Sequence, residues 1–67
     1  MSVAKVIEIS STSPKSFEDA IQQGVGRAAK TIHGIRSAWV KEQQLRVEEG
    51  KVTEYQVNLQ ITFVLKD

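Results

Sequence analysis

No cysteine occurs among the 67 residues, which excludes disulfide staples and thiolate-held zinc or iron–sulfur sites. The single histidine, His33, leaves no imidazole cluster for a transition metal. It also has no cysteine to activate, and no glycine elbow presents a serine, so a nucleophile–base–orienter set is missing. No stretch approaches the ~20 apolar residues of a transmembrane helix. The segment Met1–Glu8 holds no apolar run of signal-peptide length. Charge of one sign is lacking too: nine basic and eight acidic side chains leave a net +1, with no basic block for nucleic acid. The expectation is a cytoplasmic protein that is not an enzyme and engages neither membrane nor nucleic acid.

What remains is one small domain, residues 1–67. A core of this size supplies only ~3–5 kcal/mol of net stability, and short chains commonly compensate with disulfides, a structural metal or assembly. With the first two removed, assembly with further copies of itself is the route left open.

Residues 3–10 read as a strand in which Val3, Ile7 and Ile9 are β-branched and Lys5 and Glu8 interrupt the run. Ser10, Ser11, Thr12 and Ser13 read as a polar connector, with Ser13 as helix N-cap and Pro14 at the first helical position. A helix is expected over residues 14–33. Phe17, Ala20, Ile21, Gly24, Val25, Ala28, Ala29 and Ile32 form one continuous face, opposite Glu18, Gln22, Arg27 and Lys30. Gly24 and Gly26 each cost ~1 kcal/mol of helix propensity relative to alanine. Because they lie inside the helical pattern they do not form a phosphate-cradling loop; Gly24 reads as a close-packing position. Gly34 is expected at C′, free to take φ > 0.

Residues 36–47 read as a strand of ragged pattern, and Glu48-Glu49-Gly50-Lys51 as a turn between antiparallel neighbours. Residues 53–65 alternate cleanly: Tyr55, Val57, Leu59, Ile61, Phe63 and Leu65 are apolar, with Glu54, Gln56, Asn58, Gln60 and Thr62 between them. The expected fold class is α+β with β-α-β-β order, a three-stranded antiparallel sheet packed on one amphipathic helix.

One helix covers one sheet face. The other offers Ser37, Trp39, Gln56, Asn58, Gln60 and Thr62, uncharged groups that suit a subunit contact or a ligand. Sheet edges invite pairing as well. An oligomer follows from these features, though its copy number does not.

The ordered set Lys5-Val6-Ile7-Glu8-Ile9, Ser11-Thr12-Ser13, Ala20-Ile21, Arg27-Ala28, Thr31 and Tyr55-Gln56-Val57 resembles the dodecin family over essentially the whole chain. The resemblance implies a hollow homododecamer built of trimers. It further implies flavin (riboflavin, FMN or a lumichrome-like molecule) stacked between tryptophans near symmetry axes, with a glutamine bonding the ring edge. Storage or sequestration of flavin, with quenching of its photochemistry, is the implied role.

Carried over residue by residue, Gln56 matches the flavin-contacting glutamine. The stacking tryptophan falls on Ser37, and the only indole, Trp39, comes two residues later. An arginine that neighbours the ligand in many bacterial members falls on Gln44, with Arg46 two residues on. A strand repeats its facing every second residue, so a slip or bulge in the second strand returns Trp39 toward the pocket. Without one, the chain is a variant shell that has lost tight flavin binding. It then holds another ligand at the symmetry axes (a coenzyme A-like nucleotide, an anion or calcium) or serves a structural role. The candidate cofactor-binding set is therefore Trp39, Gln56, Ser37, Arg46 and Gln44.

Each candidate also has a plainer reading. Trp39 suits a packed subunit contact. Gln56 suits an amide ladder with Asn58 and Gln60 across a symmetry contact. His33, in the expected last helical turn, suits the helix dipole. Glu48 and Glu49 are a charged turn with too few oxygens for calcium unless copies converge.

Overall fold

The computed structural model describes residues 3–65; Met1, Ser2, Lys66 and Asp67 of the expected domain lie outside the described residues. Four elements follow in order: β1 (Val3–Ser13), α1 (Phe17–Ala29), β2 (Ile35–Glu48) and β3 (Lys51–Leu65). Both ladders are antiparallel and the sheet order is β1-β3-β2. The strand with the cleanest alternation is thus the central one, where both edges are paired and register is most strongly specified.

The apolar side of β3 meets α1. Ala20, Val57, Leu59 and Ile61 are fully buried, with Ile7, Ile9, Phe17, Ile21 and Val25 packed around them. Each buried Val, Leu or Ile contributes ~1.5–3 kcal/mol, and only three of them are completely enclosed, so the core is thin. Gly24 sets the helix height. A Cβ there would stand 3.1 Å from Leu59 Cδ1 and 3.1 Å from Ser11 Cβ, as the close-packing reading requires.

The chain departs from the expected boundaries at both ends of the helix. The expected connector Ser10–Ser13 is the end of β1, paired through Ser10↔Asn58 to Ser13↔Tyr55; ladder bonds to a well-formed central strand outweigh the local turn preference of Ser and Thr. Ser13 is therefore no N-cap. Its Oγ accepts from the Lys15 N–H at 3.0 Å and donates to Asp19 Oδ2 at 2.6 Å. The N-cap is Ser16, whose Oγ accepts from the Asp19 N–H at 2.9 Å, and Pro14 sits in the bend before it.

At the other end α1 stops at Ala29 with Lys30 as C-cap, leaving Arg27 as the basic residue of the last turn. Ile32 and His33 lie beyond the helix, so the dipole role expected of His33 falls to Arg27. Gly34 has φ +79°, but it serves the entry to β2 rather than C′: its carbonyl accepts from Val64 N–H at 3.1 Å.

The ragged pattern of β2 has a cause. Register shifts between Ile35 and Ser37 and between Val40 and Glu42 leave Arg36 and Lys41 as extra residues, and each such bulge resets the alternation. At the far end Glu48 pairs with Lys51, closing a two-residue loop in which Glu49 and Gly50 have φ 51° and 76°. Both positive φ values are what a type I′ hairpin demands.

The molecule is long: 51 × 19 × 13 Å, with a radius of gyration of 13.8 Å against the ~11 Å expected of a compact chain this size.

Candidate functional site

Residues directly opposite one another in an antiparallel ladder share a sheet face. On the helix-free side of β3 stand Glu54, Gln56, Asn58, Gln60 and Thr62. Across the β2 ladder, Thr62 faces Ser37, Gln60 faces Trp39, Asn58 faces Glu42, Gln56 faces Gln44 and Glu54 faces Arg46. Ser37, Trp39, Gln44, Arg46 and Gln56 thus share one face.

The Lys41 bulge makes this possible. In an unbroken strand the odd positions 37 and 39 and the even positions 44 and 46 would point to opposite sides. One inserted residue switches the parity and gathers all four. The ragged apolar pattern was the sequence signal for it.

Trp39 is 66% exposed and projects from the face beside Gln60. The β1 partner of Gln60 is Glu8, so this row of the sheet reads Glu8, Gln60, Trp39. Lys41, the bulged residue, reaches back over the row to Glu8 Oε1 at 3.3 Å. Both side chains are about half exposed, and a pair of this kind contributes only ~0–1 kcal/mol; it shapes the surface more than it stabilises it.

Two rows along, the Gln56 amide donates to Ser10 Oγ at 3.0 Å. The Asn58 amide donates to Glu42 Oε1 at 2.8 Å, and Arg46 Nε lies 3.2 Å from Glu54 Oε1. The Gln56 and Asn58 amides thus tie the central strand to its neighbours. Contrary to expectation the face carries charge: Glu8, Lys41, Glu42, Arg46 and Glu54 border the central row, mostly supplied by the flanking strands.

Trp39 and Gln56 are not in contact. Their rows are four residues apart on β3, ~13 Å at ~3.3 Å per residue. Ser37 is six residues away, ~20 Å. Of the two candidate stacking positions, 39 is the nearer to Gln56.

His33 lines a different place, a groove of about 420 Å³ with Gly34, Arg36, Phe63, Val64 and Leu65. Glu48 and Glu49 are exposed at the hairpin tip. Among the described residues no group of three or more His, Asp or Glu is placed to hold a metal ion, and no helix is long and apolar enough to cross a membrane.

The long bulged hairpin, the single covering helix and the helix-free polar face agree with one sequence family, whose profile, Dodecin, matches residues 3–66. The chain belongs to the dodecin family. The calcium dodecin of Mycobacterium tuberculosis is 43% identical over 67 residues, covering 98% of this chain and 93% of that one. The solved structure of that protein has a TM-score of 0.83 at 40% identity, over 96% of this chain and 91% of that one. The dodecin of Thermus thermophilus is 38% identical over 65 residues, covering 97% and 94%. An arginine-to-alanine variant of that dodecin has a TM-score of 0.94 at 37% identity, with both chains fully covered. Dodecins are known as small binding proteins.

Proposed function

We propose that this dodecin is the subunit of a hollow homododecamer, built of trimers, that binds and sequesters riboflavin or FMN on its helix-free sheet faces. The observation that supports flavin is Trp39, a largely exposed indole on the helix-free face, opposite Gln60 of the central strand. An exposed aromatic surface flanked by hydrogen-bonding groups suits a flat heteroaromatic ring, and stacking on it is worth ~1–3 kcal/mol per ring face.

In this reading Trp39 is the stacking platform and Gln56 binds the ring edge. With its amide N–H engaged by Ser10, the Gln56 carbonyl oxygen is left to accept from an imide N–H of flavin. The ~13 Å between their rows means that a ring on Trp39 meets the Gln56 of another copy, so the site is completed by assembly. Ser37, one pleat before Trp39, leaves room beside the indole. Gln44 and Arg46 border Gln56.

A second reading is supported by the 43% identity to a protein named calcium dodecin, together with serine at position 37. Here the shell has the same architecture but holds a small ion or anionic ligand at its symmetry axes. No subunit alone provides three convergent carboxylates or imidazoles among the described residues, so a cation site would draw ligands from several copies.

Absorption between the near ultraviolet and the blue, with fluorescence titration, separates the two. Purified particle soaked in riboflavin or FMN is expected to retain yellow ligand and quench its emission at submicromolar concentration. An unchanged flavin spectrum over a large particle would remove flavin and leave the ion-binding shell.

A further inference from the structure

The cations that border the central row of the helix-free face are Lys41 and Arg46, and each is already held. Lys41 Nζ lies 3.3 Å from Glu8 Oε1, and Arg46 Nε 3.2 Å from Glu54 Oε1. Glu42 is placed differently. Its Oε1 accepts from the neutral Asn58 amide at 2.8 Å, which satisfies the oxygen and leaves the charge uncompensated. Glu42 stands one row from Trp39 along the ladder, about 7 Å away.

The Lys41–Glu8 pair lies across the sheet. Lys41 is on β2 and Glu8 on β1, with β3 between them, so it bridges two strand spacings, ~10 Å. The bulge makes this reach possible, because it leaves Lys41 out of the ladder. Glu8, Gln60 and Trp39 are cross-strand neighbours, so the ammonium is drawn to the far end of the Trp39 row. An exposed pair of this kind adds little stability. Its effect is to engage the cation that stands nearest to Trp39 among the described residues of this face.

We infer that the site selects flavins whose side chain carries no phosphate, riboflavin over FMN, and that Glu8 sets the preference by holding Lys41. This rests on the flavin reading and names the ligand within it. A phosphate monoester brings a charge of about −1.5 to −2 at neutral pH to a surface whose cations are occupied. Turning Lys41 from Glu8 to that phosphate exchanges one contact for another and leaves Glu8 and Glu42 both facing the anion. Ribityl hydroxyls suit the same surface, since they donate and carboxylates accept. The row thus both favours the neutral ligand and opposes the charged one. A second copy that supplies Gln56 brings the Arg46–Glu54 pair with it, and that pair is closed as well.

The test uses the full-length particle and titrates riboflavin and FMN by fluorescence quenching, with light scattering to check that the mass is constant. Riboflavin should bind about fivefold or more tightly than FMN at low salt. The gap should narrow at high salt, because only FMN is repelled. Glu8→Gln frees Lys41 and should move the ratio of the two affinities about tenfold toward FMN, while Lys41→Gln should widen the gap. If Glu8→Gln fails to assemble, Glu42→Gln decides: it keeps an oxygen for Asn58 and should narrow the gap. FMN bound as tightly as riboflavin by the wild type, or a ratio unmoved by the glutamate variants, overturns the selection and leaves flavin binding intact. Binding of neither flavin overturns both.

Discussion

Trp39 stands directly opposite Gln60 in the central ladder, on the side of the sheet that the helix leaves bare. In the proposed site a ring stacked on this indole would neighbour the row Glu8, Gln60, Trp39 and the Lys41–Glu8 ion pair. Trp39→Ala should weaken flavin quenching by roughly one to two decades per ring face without dissolving the particle. Quenching that survives unchanged removes the stacking role of Trp39.

The two helical glycines should respond in opposite directions. At Gly26 an added Cβ meets nothing within 4 Å, so Gly26→Ala should stabilise by about 0.5–1 kcal/mol through helix propensity. At Gly24 the same Cβ falls 3.1 Å from Leu59 Cδ1 and from Ser11 Cβ. Overpacking costs about 1–3 kcal/mol and outweighs the same gain, so Gly24→Ala should destabilise by about 1 kcal/mol. Urea midpoints at one fixed protein concentration test the pair, because assembly makes stability concentration-dependent. Equal shifts would mean that the helix does not sit tightly on the sheet.

Helix initiation is assigned by Ser16. Ser16→Ala should cost about 1 kcal/mol, and Ser16→Asp should recover most of it. Ser13→Asp should not compensate, because it would place a second carboxylate against Asp19 in a position where Ser13 is only 2% exposed. Thermal unfolding of the three variants checks this. Recovery by aspartate at 13 rather than 16 would reverse the assignment.

Glu49 is the one non-glycine residue with positive φ among those described, a conformation that costs an ordinary side chain about 1–2 kcal/mol. Glu49→Asn or Glu49→Gly should raise the melting temperature, since both tolerate the left-handed region. Melting is compared at one fixed protein concentration, because assembly makes stability concentration-dependent. No gain in either variant would argue against a type I′ loop.

Much of the architecture was legible before any coordinates. The alternation from Tyr55 to Phe63 identified a strand with one covered face, and the three-and-four spacing from Phe17 to Ala28 identified the helix that covers it. The boundaries were less so. Ser10 to Ser13 carry local preferences for turns and caps, and pairing with β3 overrode them. The two bulges of β2 registered only as irregularity in the pattern, because an extra residue is defined against a partner strand that a linear reading does not supply.

Local chemistry was therefore enough for the kinds of element, their order and the helix–sheet core, since side-chain period and turn residues act over a few neighbours. The common facing of Ser37, Trp39, Gln44 and Arg46 and the cross-strand bonds of Gln56 and Asn58 were settled by long-range pairing. Register, bulge position and the relative lengths of helix and sheet depend on residues far apart in the chain, and they emerge when those residues meet.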